Sequence, residues 1–535
     1  LDAALSVEGR AAFNDHRLQT YAAVLVGQLG GESVEWLLRL AQCDRYFKLK
    51  PPLALSNGQI SWGRDQPLNI DAAFETAEHV SISLDSLIET SGGQQTHIRI
   101  QDHESQAKGF LRQAPDLVEF DFQGILSGKT LGRILAGNSL ATGRLEGEIQ
   151  GLFRPTHPDQ SQIAGQLSAN NLPFPFATGY AVHINQLQLQ AEDNNIRILP
   201  SSFLVDGNRH TLAGNIRIAP RVYQIAFQHS ADHLTLAEPQ SGPPPSAKTP
   251  SAMQWLTLPI EGQIDSRINS LRIGEYRWTS VVGQIKPHPG RWAIDLAEAN
   301  LCGLQTHGHI TLTPQSVAFE MMPEARDASI DTTLNCLLNK PGLIDGSYKL
   351  NGTLKGAGPY DAIRPGLDGK VKLRAKQGRI HRFSLLGRVL AVINLTEVVR
   401  GKIPDLLHEG LAYQRIDINA SISKGVIKLE KAVIDGDSLE IAAEGSIDLN
   451  DGQTDLIVLV APLKTVDAIV KHTPIVNTWL GGTLISIPVR VTGPFDDPQV
   501  TPLSPTAVGS SLLNLLKNTV QLPIKLVEPL FKEDE

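Results

Sequence analysis

His307 and His309 flank Gly308. In an extended chain both imidazoles point to one face, the arrangement from which a metal site could start. No third ligand lies nearby in sequence, so the pair reads as part of a solvated polar face. Asp496 and Asp497 could in principle form a carboxylate couple for general acid–base work. Adjacent residues in extended chain point apart, however, and Asp497-Pro498 favours a turn. Gly356-Ala357-Gly358-Pro359 is glycine-rich but runs into proline, so it reads as a turn and not as a phosphate cradle. The chain has no Gly-x-Ser-x-Gly elbow, no phosphate loop ending in Gly-Lys-Ser/Thr and no His-Glu-x-x-His. The expectation is a protein without catalytic residues, metal ligands or cofactors.

The three cysteines are Cys43, Cys302 and Cys336, with no Cys-x-x-Cys spacing. A Cys302–Cys336 disulfide is compatible with an oxidising compartment. The alternative is that all three are small buried apolar residues.

The elements that would carry any site are mostly strands. In Gln186-Leu187-Gln188-Leu189-Gln190-Ala191 one face is glutamine and the other is apolar. The pleat makes such a segment wet on one side and dry on the other. A glycine followed by alternating aliphatics recurs at Gly214-Asn215-Ile216-Arg217-Ile218 and Gly308-His309-Ile310-Thr311-Leu312. Further copies begin at Gly369, Gly425 and Gly445, and shorter ones at Gly147, Gly165, Gly262 and Gly283. Their spacing is irregular, which argues for a long meander of strands and not for a fixed-period solenoid. With 46 Gly, 33 Pro and only 3 Met among 535 residues, the composition agrees.

The net charge is −8, and basic residues form no block in sequence, so nucleic acid is not an expected partner. No uninterrupted apolar run reaches the roughly 20 residues of a membrane span. The five prolines within residues 237–251 mark a linker or exposed loop. Short helices are expected over residues 31–42, 128–136, 384–400 and 464–480. A last amphipathic helix starts near Val508, with Leu512, Leu515, Leu516 and Val520 on one face for contact with a membrane or as a lid.

The last 150 residues or so carry a resemblance. It rests on Gly387-Arg388-Val389-Leu390-Ala391-Val392-Ile393-Asn394-Leu395, Gly401-Lys402-Ile403-Pro404-Asp405 and Glu409-Gly410-Leu411-Ala412-Tyr413. It continues through Ile434-Asp435-Gly436, Val460-Ala461-Pro462-Leu463-Lys464-Thr465, Leu480-Gly481-Gly482-Thr483-Leu484 and Val491-Thr492-Gly493-Pro494-Phe495-Asp496-Asp497-Pro498. This stretch resembles the C-terminal domain of AsmA-like proteins of Gram-negative bacteria, related to the YhdP and TamB groups. The resemblance is strong over residues 368–530 and weaker before that.

It implies a mainly β fold: a long curved antiparallel sheet rolled into an elongated hydrophobic groove, with a few short helices and a C-terminal amphipathic helix. The expected organisation is a β-groove segment over 1–236, the proline-rich linker over 237–251, an AsmA-like β domain over 252–505 and the helix with its tail over 506–535. The groove floor is expected from Ile216, Ile218, Ile310, Leu312, Val371, Leu373, Ile427, Leu429, Ile447 and Leu449. The implied partners are phospholipid acyl chains, the inner membrane through an N-terminal anchor that would precede Leu1, and the outer membrane or one of its proteins at the C-terminal end. The implied role is lipid conduit or carrier in the periplasm, supporting outer-membrane integrity. The alternative is an assembly factor that binds β-rich outer-membrane clients by edge-strand addition.

Overall fold

The computed structural model describes residues 3–14, 17–40, 48–135, 143–173, 181–236, 254–381, 388–389, 410–437, 439–462, 484–495, 497–520 and 524–526. The linker at 237–251 and Cys43 lie outside them. So do the helix expected over 464–480 and all of the one expected over 384–400 except residues 388–389, which are helical. The chain is mainly β and forms two units; the strands Ile260–Ile273, Tyr276–His288 and Arg291–Leu301 are divided between them, as are the last two residues of Tyr223–Leu236.

The first unit contains β1 (Ala3–Asn14), β2 (Arg17–Leu29), β3 (Leu53–Gly63), β4 (Gln66–Thr76), β5 (Ser81–Ile88), β6 (Gln94–Gln101) and β7 (Gln106–Ala114). It continues with β8 (Leu117–Ser127), β9 (Arg144–Phe153), β10 (Gln162–Pro173), β11 (Val182–Glu192), β12 (Asn195–Val205), β13 (Asn208–Ile218) and β14 (Tyr223–Leu236). Each pairs antiparallel with its sequence neighbour, as a meander does. Tight turns make this possible. Asp193-Asn194 and Asp206-Gly207 each place two residues at positive φ, and this hand of turn matches the twist of the strands it joins. On β11, Gln186, Gln188 and Gln190 are exposed, while Leu187 and Leu189 are half-buried and Ala191 is buried. The alternation read from sequence is thus the pleat itself. Helices α1 (Gly31–Leu40) and α2 (Gly128–Ile134) interrupt the meander within the expected windows.

The second unit contains β18 (Leu304–Leu312), β19 (Ser316–Ser329), β20 (Ser347–Pro359), β21 (Asp368–Ile380), β22 (Leu411–Ser423) and β23 (Val426–Gly436), numbered after the three divided strands β15 to β17. Then come β24 (Leu439–Asp448), β25 (Gln453–Pro462), β26 (Leu484–Pro494), β27 (Gln499–Pro502) and β28 (Ile524–Leu526). Neighbours from β18 to β27 pair antiparallel, and β28 lies parallel to β26. Helix α3 (Ile330–Leu338) was not expected. Its signal is short: Ser329 caps it by accepting from the Thr332 amide, and Asn339 ends it in the left-handed region. Helix α4 (Ser510–Val520) is the expected last helix.

The recurring glycines have a steric cause. Gly165 and Gly445 sit inside strands at φ +116° and +136°. A Cβ at either would land on a carbonyl oxygen of the adjacent strand, that of Glu148 or Asp455. Any larger residue would force the two backbones apart.

Candidate functional site

The first unit holds a partly open apolar cavity of about 840 Å³, lined by residues of β1 to β11 together with α1 and α2. Eleven consecutive strands of one sheet face the same space, so the sheet curls around it. At about 4.8 Å per strand, that row runs roughly 50 Å along the sheet.

Register shows how this face is built. One cross-strand row reads Val7, Leu25, Gly58, Ala72, Leu84, Ile98, Gly109, Phe122, Ile149, Gly165, Ala191, Ile196, Ile216, Ile225. Each of the fourteen strands β1 to β14 contributes one residue, and none is polar. Where glycine replaces an aliphatic, the floor stays apolar and gains depth. Few polar residues line the cavity: Ser33, Tyr21, Gln94, Thr96 and Gln113, with Asp71 and Asp121, which are exposed and alternate with apolar lining residues.

Two helices close part of this space. Trp36 of α1 lines it and is half exposed, at 51%. Leu131, Ile134 and the following Leu135 line it from α2. A buried polar knot on the β6–β7 turn holds α2 in place. Asp102, with its side chain 1% exposed, accepts from the Glu104 amide (2.8 Å), the Ser105 amide (2.7 Å), Thr130 Oγ1 (2.8 Å) and Arg133 Nη1 (3.0 Å). Burial alone would raise its pKa, but the bonds from Thr130, the two amides and Arg133 outweigh that and hold the carboxyl below its ordinary value. Ser127 caps the helix by accepting from the Thr130 amide (3.1 Å).

Beyond the cavity, on β13 and β14, two histidines interrupt the same apolar face. His210 Nδ1 lies 3.2 Å from His229 Nε2, and His229 Nδ1 lies 2.9 Å from Ser266 Oγ. Burial lowers the pKa of both rings; the charge of His210 lowers His229 further, while the His233 backbone and Asp232 partly oppose the shift at His210. The folded state therefore favours neutral imidazoles. Their contribution to stability is fully present above the ordinary histidine value of 6.5 and is lost as the pH falls from there through the lower folded value. The melting temperature is expected to drop between about pH 7.5 and about pH 5, and His229→Gln is expected to flatten that slope. Thermal melts across that range would show it. An identical slope in the variant would assign the loss to other groups.

The residues expected to line a groove are distributed as follows. Ile216 and Ile218 share the apolar face of the first unit, two strands beyond the last strand lining the cavity. In the second unit, one row runs Gly352, Val371, Ala420, Leu429, Gly445, Leu456, Val491, Val500. Ile427 and Ile447 pair with each other, and Leu373, Leu429 and Ile447 pack on the unit's main buried cluster. Ile310 and Leu312 are half-buried opposite Phe319 and Val317, and Leu449 falls just past the end of β24. None of these ten residues lines the cavity. Part of its lining comes from strands that alternate but carry no glycine-entry repeat, such as β6 with Ile98.

The second unit's core holds Tyr413, whose hydroxyl donates to the Asp345 carbonyl (2.6 Å). Burial, with the nearby Asp345 charge adding to it, pushes that phenol up to about 12. Cys302 and Cys336 form a disulfide with Cα atoms 5.5 Å apart, tying the β17–β18 turn to α3. Helix α4 lies on the opposite face of the sheet from the main cluster. Leu512 and Leu516 are fully buried there with Val433, Ala442, Leu459 and Ala461, and half-buried Leu515 packs beside them. The Val520 side chain lies outside the described residues.

The residues weighed for chemistry do not assemble. His309 meets Asp295 at 2.6 Å and Thr311 at 3.2 Å, and both His307 and His309 are exposed. Asp497 pairs with Arg388, and Asp496 lies outside the described residues. Among the described residues no group of three or more His, Cys, Asp or Glu is placed to hold a metal ion, and no helix is long and apolar enough to cross a membrane.

An antiparallel meander with a dry inner face fits the AsmA-like class that the C-terminal motifs resemble. The family model described as YhdP protein matches residues 57–500, and the chain belongs to that family. It is an envelope-related protein, and the family is associated with the Gram-negative envelope and is generally non-enzymatic. No curated protein matches the chain.

Proposed function

We propose that this chain is a non-enzymatic lipid-binding protein of the periplasm, a conduit or carrier for phospholipid between inner and outer membrane that supports outer-membrane integrity. The observation that carries this reading is the cavity of about 840 Å³ lined by eleven consecutive strands of one curled sheet. Its size lies in the upper part of the roughly 300–1,000 Å³ range of small-molecule sites. An acyl chain leaving a bilayer for water loses about 0.8 kcal/mol per exposed methylene. A continuous apolar row removes that cost at each step, while the headgroup can stay in water. No covalent chemistry is required.

Native mass spectrometry of the purified chain tests the reading. Bound phospholipid, at a defined stoichiometry and released by delipidation, is the expected result. An assembly factor acting by strand addition needs no acyl chain, so a lipid-free protein that also fails to take up added phospholipid would overturn the proposal.

A further inference from the structure

Strands β20 to β23 carry ten basic residues against four acidic ones, in a chain whose net charge is −8. On β21 the basic residues occupy every second position: Lys370, Lys372, Arg374 and Lys376. All four are exposed, on the face opposite half-buried Val371 and Leu373 and buried Ala375. Their cross-strand neighbours are largely uncharged. Lys370 lies between Thr353 and Ser421, and Lys372 between Asn351 and Asn419. Lys370, Lys372 and Lys376 make no ion pair among the described residues, whereas Lys349 and Lys355 reach Asp327 and Glu320.

Two of the four carboxylates on these strands, Asp417 and Asp435, are already engaged with basic residues. Arg374, Arg415 and Lys431 converge on Asp417 at 2.7, 3.3 and 3.6 Å, and Arg415 also reaches Asp435 at 3.7 Å. The patch therefore keeps a surplus of positive charge. Its backbone is held from behind by the buried cluster that includes Tyr348, Ala375 and Ile416.

We propose that this face of β20 to β23, where α4 leaves it uncovered beside Val433, docks on an anionic lipid surface, with its lysines meeting headgroup phosphates. The chemistry of the patch favours a lipid surface over an acidic protein. A fixed carboxylate on a protein is best recognised by the planar fork of arginine, and a stable protein interface centres on exposed aromatic anchors. Here the unpaired charges are lysines, and the aromatic residues of these strands, Tyr348 and Tyr413, are buried. Compact charges on flexible stems suit phosphates that move in a fluid plane. The patch lies in the second unit and does not depend on the cavity of the first being loaded.

The test is flotation of the full chain with phosphatidylcholine vesicles, with and without phosphatidylglycerol. Binding is expected only with the anionic lipid and is expected to weaken as salt rises. Substituting K370Q, K372Q and K376Q together should lower the affinity roughly a hundredfold, at roughly fivefold per lysine. K372Q alone should lower it about fivefold, which keeps the test valid should the triple variant melt early. Bound lipid seen by native mass spectrometry should be the same in variant and wild type, so failure of the cavity reading would leave this result standing. Equal binding to both vesicles, binding insensitive to salt, or a folded triple variant that binds as before would overturn the proposal. So would a wild type that ignores anionic vesicles yet binds polyglutamate through these lysines, which would assign the face to an acidic protein.

Discussion

Leu84→Asp combined with Ile98→Asp is expected to abolish lipid loading and lipid transfer while the sheet stays folded. The two residues are cross-strand partners on β5 and β6, both line the cavity, and both are half-buried. Half-burial matters, because the carboxylates can stay hydrated when the cavity is empty. With acyl chains present they would be stripped of water without a partner, at a cost of several kcal/mol for each ion. Every 1.4 kcal/mol is tenfold in affinity, so loss of more than about a hundredfold is expected. The control places charge on the other face of the same pair of strands, as Ser83→Asp with Arg99→Asp. Fluorescent phospholipid uptake and thermal melting would be measured together. A folded inner-face variant that loads lipid as well as the control would sink the cavity as the lipid site.

Truncation after Ser504 is expected to destabilise the second unit and cause aggregation. Leu512 and Leu516 are fully buried, and burial of side chains of this size contributes roughly 1.5 to 3 kcal/mol each. Removing α4 would also bare Val433, Ala442, Leu459 and Ala461, which form a contiguous apolar patch across β23 to β25. The single changes Leu512→Ala and Leu516→Ala should each cost about 2 to 5 kcal/mol. While docked, the helix cannot offer these two side chains to a bilayer, so membrane contact through them would require undocking. Static light scattering and denaturant unfolding of the truncated chain would decide. A monomeric truncated protein of unchanged stability would mean that the helix rests on the sheet without stabilising it.

The last helix left its partner open in sequence, because amphipathicity defines a face and not what covers it. The stripe of Leu512, Leu515 and Leu516 was plain from spacing, yet a stripe reads the same whether lipid or protein covers it. What covers it here is the second face of β24 and β25, where Ala442, Leu459 and Ala461 interrupt an otherwise polar alternation. That interruption was visible in Leu456-Ile457-Val458-Leu459-Val460-Ala461, an apolar run too continuous for a strand wet on one side.

The cavity was legible as a kind of surface but not as a place. Gly-x-aliphatic repeats from Gly214 onward drew attention to the later strands, whereas the cavity lies under β1 to β11. The basic patch was invisible for a related reason. Lys370, Lys372, Arg374 and Lys376 alternate with apolar residues, and Lys349, Arg415 and Lys431 join them only across the ladder.

By itself the sequence determined the mainly β, antiparallel character of this protein, its dry and wet faces and its glycine bends. Those follow from local rules: the two-residue period of the pleat, the φ preferences at turns such as Asp206-Gly207, and the absence of room for a Cβ at Gly445. Tertiary structure alone decided which stretch of the dry face encloses space, which helix covers which strands, and which charges gather. Those depend on register and curl, which bring residues far apart in sequence to one spot, and no local period records them.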